Sequence, residues 1–353
     1  MGQPVYPGIR PLRSRTAAAL GLLAAVATAA TGCGGGDSTG TAAKDEGSTP
    51  LHWTLVLDYQ PNAVHAGLAR ALQAGYFKEA GIALRVIAPS STSDALTQVG
   101  RGKAEVGLAD LIDASRRNDR AVQKASGDAS DPVALVGAIV QEPLSGILVN
   151  AASSIKTPAD LADKRIAVTG LPSDVAVVKA IVRQDGKGLA TKQITLGFDG
   201  LKALDAGRVD GATAYWPADE VTLKQLGTTP RTFSLSEDGN VHYPGLVAFT
   251  TPAIARAHPG AVQAFQQALR HGTQDVIADP SVGEAALAAQ YPELDPVTTK
   301  AQLANYRPLF GSDRTAGQLE SASLQRFATF AADAGLTSHR LTPAELRGGT
   351  IGG

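Results

Sequence analysis

Cysteine is almost absent: Cys33 is the only one among 353 residues. A lone thiol excludes an internal disulfide and a thiolate metal site. An excess of either charge is missing too. The 32 Lys and Arg and 33 Asp and Glu leave a net charge of −1, so no basic surface for nucleic acid is expected. His52, His65, His242, His258, His271 and His339 are scattered without HExxH or other paired-ligand spacing, which argues against a catalytic metal. No GxSxG elbow, phosphate-binding P-loop or GxGxxG fingerprint occurs. These absences predict a protein without metal, cofactor or catalytic centre. Long apolar runs are lacking as well. The charge-free stretch from Ala17 to Ala30 falls short of the roughly 18–20 apolar residues that span a bilayer.

What surrounds that stretch is informative. Arg10, Arg13 and Arg15 precede it, and Thr31 and Gly32 supply the small residues a signal peptidase needs. Ala30-Thr31-Gly32-Cys33 resembles a bacterial lipobox, in which the cysteine becomes the acylated first residue of the mature chain. Residues 1–32 are therefore expected to be a lipoprotein signal peptide, with Cys33 lipidated. The alternative is ordinary cleavage before a chance cysteine. Gly34 to Pro50 is Gly, Ser, Thr and Ala with few charges, a flexible tether. As a coil of about 17 residues it would hold a domain roughly 20–25 Å from the lipid.

The remaining ~300 residues suffice for one two-lobed unit. Short β-type runs alternate with helical stretches from residue 53, the pattern of an α/β protein. Strands are predicted at 53–57, 83–87, 105–109 and 133–140, then at 146–149, 165–168, 193–196, 211–215, 231–235 and 246–250. Beyond Thr250 nearly everything is helical, punctuated by Pro259, Pro280, Pro292 and Pro308. Two β/α series joined near residues 141–145 and 240–245 imply two lobes linked by two crossover strands. The boundaries are residues 51–143 and 244–353 for the first lobe and 144–243 for the second. Ligands of open α/β sheets collect at the carboxyl ends of strands, so facing lobes would hold a cleft.

Asp58-Tyr59-Gln60-Pro61-Asn62, His65, Gly67, Gly75-Tyr76-Phe77 and Gly81 carry a resemblance. They resemble the opening of solute-binding proteins of ABC importers of the thiamine-pyrimidine-precursor type, whose signature reads approximately D-W-x-P-N-x-x-H-x-G, then G-Y-F. The departure is Tyr59 in place of Trp. The likeness continues through 97–107, 138–141, 158–168 and 243–265, and so covers essentially the whole mature chain. It implies a two-lobed, periplasmic-binding-protein-like α/β fold that closes on a small planar solute. It also implies a monomer on the extracytoplasmic face of the cell membrane, delivering its solute to a permease and its ATPase.

The candidate ligand-binding residues follow. Asp58, Tyr59 and Asn62 lie at a strand's carboxyl end; Tyr59 would stack on a ring, and Asn62 offers a donor and an acceptor. His65 either hydrogen-bonds the solute or satisfies loop backbone. Ser90, Ser91 and Thr92 either cap a helix or seat an anionic or carbonyl group. Gln141 and Tyr243 mark the crossovers. Thr169, Tyr215 and Trp216 represent the second lobe, with core packing the alternative for Trp216. Relatives of this type often place an acidic residue three positions after the Trp, where it would grip an aminopyrimidine. Asp219 stands there, with Glu220 beside it and Pro217 between, which leaves a different ring open. The same pattern also occurs in a pyrimidine synthase that consumes its own histidine and uses a cysteine-rich iron motif, a motif this chain lacks. Sulfonate, nitrate, taurine and flavin carriers, or a surface sensor, are further alternatives on the same fold.

Overall fold

A computed structural model describes residues 49–91, 93–122, 132–183 and 190–348. The expected signal peptide, Cys33, the tether as far as residue 48, and Thr92 lie outside the described residues. Among the described residues no helix is long and apolar enough to cross a membrane.

Among the described residues, ten strands form two five-stranded sheets. The first contains β1 (Leu51–Val56), β2 (Ile82–Ile87), β3 (Val106–Asp110) and β4 (Ala134–Ala138). The second contains β5 (Ser145–Asn150), β6 (Arg165–Val168), β7 (Lys192–Thr195), β8 (Gly211–Tyr215) and β9 (Pro230–Ser234), after which β10 (Leu246–Thr250) returns to the first. The strand orders are β2-β1-β3-β10-β4 and β7-β6-β8-β5-β9. In each sheet the strand that arrives from the other one, β10 or β5, runs antiparallel to both neighbours. The remaining strands of each sheet point the same way.

This topology has a geometric consequence. The chain leaves β4 at its carboxyl end and enters β5 at the corresponding edge of the second sheet; it leaves β9 and enters β10 likewise. The two connections therefore tie together the edges where the parallel strands end, and those edges face one another. The connections touch. A Cβ added at Gly245 would stand 2.6 Å from the carbonyl oxygen of Glu142 and 2.8 Å from Cα of Pro143, too close for any side chain. Gln141 fixes the first connection to the C-terminal segment. Its backbone N–H donates to Leu309 O (2.7 Å), and its side-chain amide donates to Thr315 O (2.8 Å) and Gln318 O (3.1 Å).

Helices follow strands for local reasons. Helix Ala66–Ala74 ends at Gly75 (φ 83°), a left-handed cap that suits glycine. Thr157 and Asp160 form a capping box around a short 3-10 turn, Pro158–Leu161, with proline in its first turn. Sequence reading missed the helix Trp216–Leu226, which opens with Pro217 and closes at Gly227 (φ 111°). The C-terminal helices pack on the first sheet. Ala66–Ala74 lies so close to Pro259–Ala278 that a Cβ at Gly67 would overlap Thr273, and one at Gly272 would meet the backbone nitrogen of Ala71 at 2.6 Å. Gly67 of the H-x-G motif is therefore a packing residue. Gly272→Ala is expected to destabilise the fold by about 1–3 kcal/mol through overpacking, read as a lower urea midpoint; an unchanged midpoint would show that the helices can separate without cost.

Candidate functional site

The site lies where the carboxyl edges of the two sheets meet. Asp110, the last residue of β3, is 5% exposed. Its Oδ1 accepts the backbone N–H of Ile112 (2.7 Å), which caps the following helix Leu111–Val122. Its Oδ2 accepts the hydroxyl of Tyr215, the last residue of β8 (3.3 Å). A bond between residues 105 positions apart thus joins the strand ends of the two sheets.

Burial governs the chemistry here, because removing a carboxylate from water favours its neutral form. It pushes Asp219 up to about 7, against a lowering contribution from the Tyr215 N–H that Asp219 accepts (2.9 Å). Asp110 is raised first by burial and next by the neighbouring charge of Asp113. Asp113 is raised by burial, opposed by Arg116 and reinforced by Asp174. The Tyr215 phenol is pushed well up by burial and by Asp110, Asp58 and Asp113. Tyr306, 1% exposed, is raised by burial and then by Asp219 and Asp58. Tyr59, 41% exposed, is raised by burial and then by Asp219 across the junction. Carboxyl and phenol groups from both sheets share one region.

The expected site residues divide. Asp58, Tyr59, Tyr215 and Asp219 converge at the junction. His65 is occupied: its Nδ1 accepts the backbone N–H of Asn62 (3.2 Å), which leaves Nε2 to donate to Asp58 Oδ1 (2.9 Å). It is buried and holds Asp58 in place, the loop-satisfying alternative. Asn62 works within its own loop, accepting from Val64 N (3.0 Å), forming a capping box with His65 and donating to Gln60 O (3.1 Å), which leaves one side-chain N–H. Thr169 donates its hydroxyl to Asp174 (2.6 Å), fixing the loop after β6. Ser90 donates its backbone N–H and its hydroxyl to Asp94 (2.8 and 2.9 Å), and the carbonyl of Ser91 accepts from Asp94 N (3.1 Å). Ser90 and Ser91 thus turn around the Asp94 carboxylate. Gln141 is committed to the C-terminal segment described above. Trp216 packs partly against a small apolar cluster that includes Leu148, Ala167 and Leu204, and its indole N–H is buried without a partner. Tyr243 is 1% exposed, with its ring against Phe327 and Phe330 and its hydroxyl unpartnered. Glu220 turns away to accept the hydroxyl of Thr232.

Sequence reading overlooked Asp110, Asp113 and Tyr306. Asp110 carried a signal, because it directly follows the apolar run of a strand predicted to end one residue earlier. Tyr306 carried none. Two cavities, of about 430 and 310 Å³, are lined by Leu135, Val262, Gln266 and neighbours and by Leu72, Phe77, Ile82 and neighbours; no expected site residue lines either. The junction is identified by its converging polar groups instead.

Two lobes with facing carboxyl edges, joined by two connections, define the periplasmic-binding-protein-like α/β class. Residues 62–282 match the NMT1/THI5 like family, and the chain belongs to that family. It is 25% identical over 244 residues to a formylaminopyrimidine-binding protein of Halalkalibacterium halodurans, covering 69% of this chain and 71% of that protein. It is 23% identical over 255 residues to a 4-amino-5-hydroxymethyl-2-methylpyrimidine phosphate synthase of Aspergillus parasiticus, with the same coverage of 69% and 71%. The alkanesulfonate-binding protein SsuA of Xanthomonas axonopodis pv. citri, solved with MOPS, has the same fold. Its TM-score is 0.65 at 19% identity, over 85% of this chain and 99% of that one.

The raised carboxyls set a pH dependence. An unfolded Asp titrates near ~3.9, whereas Asp219 in the fold titrates at about 7. Between those values the folded chain keeps a proton the unfolded chain has lost, so this contribution is full at low pH and declines as pH rises towards 7. Urea unfolding of the solute-free protein should therefore show stability falling from pH 5 to 8, with a flatter slope in Asp219→Asn. An identical slope in the variant would show that Asp219 is hydrated.

Proposed function

We propose that this chain is the extracytoplasmic solute-binding lipoprotein of an ABC importer, capturing a thiamine pyrimidine precursor by closure of its lobes. Its binding residues are Asp58, Tyr59, Tyr215 and Asp219, with Tyr306 added and His65, Asn62 and Thr169 shaping the loops. Cys33 would carry the lipid, and a permease with its ATPase would receive the solute. The chain itself would perform no reaction.

The observation that carries the ligand class is the gathering of carboxyl groups, Asp58, Asp110, Asp113 and Asp219, at one junction. An aminopyrimidine presents an amino donor beside a ring nitrogen acceptor. A carboxyl group titrating at about 7, as Asp219 does, can accept from the first and share its proton with the second. Tyr59, partly exposed beside Asp219, offers a face for stacking, which adds about 0.5–1.5 kcal/mol beyond area burial. Nitrate and an alkyl sulfonate present acceptors only, so they leave the acceptor oxygens of these carboxyls without a donor and meet like charge wherever one is ionised. The formylaminopyrimidine-binding relative supports the same reading.

The synthase-named relatives favour a second reading, a pyrimidine-forming enzyme. Against it stand the single cysteine and a His65 ring whose two nitrogens are both engaged. Two measurements separate the readings: mass spectrometry of solute retained on natively purified protein, and titration calorimetry with formylaminopyrimidine, hydroxymethylpyrimidine, riboflavin, taurine and nitrate. An aminopyrimidine should bind tightest, and Asp219→Asn should weaken it at least about tenfold, or ~1.4 kcal/mol. Tighter binding of taurine or nitrate, or pyrimidine formation by the protein alone, would sink the proposal.

A further inference from the structure

We propose that Asn305 and Thr298 are positioning residues of the first lobe that latch helix Trp216–Leu226 of the second, so that Asp219 is presented to the solute only while this seam is shut. The role given to Asp219 rests on its reading as a solute-binding residue. The latch rests on the packing of two helices alone.

Helix Trp216–Leu226 serves two cores. Trp216 and Leu223, two helical turns apart and so on one stripe, pack with Leu148, Ala167 and Leu204 of the second lobe. Ala218, on the opposite side of the helix from Trp216, is buried in the first-lobe cluster of Trp53, Phe265 and Tyr306. Gln225 lies two turns beyond Ala218 and continues that second stripe. The facing helix is Pro296–Tyr306, which buries Thr299, Leu303 and Tyr306 and carries Thr298 and Asn305 on the stripe beside them. Two bonds zip the helices in antiparallel register. Asn305 Nδ2 donates to the carbonyl of Pro217 (3.0 Å), and Gln225 Nε2 donates to the hydroxyl oxygen of Thr298. The small side chain of Ala218 between them permits the close approach.

The chemistry of this seam suits it to opening. Helices Ala66–Ala74 and Pro259–Ala278 meet through glycines with no room to shift. The seam, by contrast, is held by two side-chain amides and a hydroxyl; Gln225 is exposed, and Thr298 and Asn305 are half-buried. Water satisfies such groups when the helices part, so separation costs little. Closure has a consequence at the site. Pro217 stands in the first turn between Trp216 and Asp219, and Asp219 accepts the Tyr215 N–H in that same turn. Asn305 is itself fixed by its buried neighbours Leu303 and Tyr306. Its grip on the Pro217 carbonyl therefore sets where this turn stands against the first lobe, and Asp219 with it. The bond from Tyr215 to Asp110 lies at the same end of the helix and shares the shut arrangement.

The test reads the seam directly. Leu226 and Val297, 43% and 76% exposed, adjoin Gln225 and Thr298 in the chain without sharing their bond. With Cys33→Ser removing the native thiol, Leu226→Cys and Val297→Cys accept spin labels whose separation is measured by dipolar EPR. The solute-free protein with an intact seam should give one short separation. Asn305→Asp, which sets a carboxylate against the Pro217 carbonyl, and Gln225→Leu, at an exposed position, should each add a longer one. Calorimetry with formylaminopyrimidine reads the positioning. Asn305→Asp should weaken binding at least about fivefold, but less than about twofold where Asp219→Asn is already present, because residues that act through one another are not additive. A separation unchanged in both seam variants overturns the latch. An equal loss with and without Asp219 overturns the positioning. If formylaminopyrimidine does not bind while the labels part in the variants, the aminopyrimidine reading falls with the role of Asp219, and the latch stands. If neither is seen, both fall.

Discussion

The facing of two carboxyl edges governs this molecule. Each sheet receives one strand from the other, and that strand runs against its neighbours. The two connections therefore tie the edges at which loops carry side chains outward. The loops after β1, β3, β6 and β8 are brought to one place by topology. Asp58, Asp110, Thr169 and Tyr215 owe their proximity to strand direction, and their individual bonds refine a meeting the chain path has already arranged.

At that meeting place, burial and charge work in opposition. Asp58, Asp110, Asp113 and Asp219, gathered in one region, would repel one another if all were ionised, and burial opposes this by raising the last three towards their neutral forms. Local bonds then decide what these acids and those of the neighbouring loops do. Asp174 is spent on the Thr169–Gly170 loop and Asp94 on the Ser90 turn. Asp58 is held by His65. Asp219 keeps one oxygen on its own helix start and leaves the other uncommitted. What separates a carboxyl spent on the fold from one open to a ligand is its remaining hydrogen-bond capacity.

Much of the fold was legible in the sequence because its strands are short, rich in β-branched residues and bounded by turn formers, as in the runs ending at Leu57, Ile87 and Val168. The helix from Trp216 escaped notice because Trp-Pro reads as a break, although proline is well suited to a first turn. The site was legible only where one segment holds several of its parts, as in Asp58 to His65 or Tyr215 to Asp219. Even there the sequence could not say that His65 and Asn62 would be consumed by their own loop. Asp110, Asp113 and Tyr306 were hidden for another reason. Their significance lies in partners far along the chain, which only the packed structure brings near.

The contact at Gly245 bears on how the two lobes can move. With no room for a side chain there, the two connecting segments touch at the point where the lobes join. Segments in such contact favour a common swing over independent twisting. If the chain carries a solute as proposed, entry and departure would then be travel along a single coordinate, and a receiving partner would need to recognise only how far the book stands open.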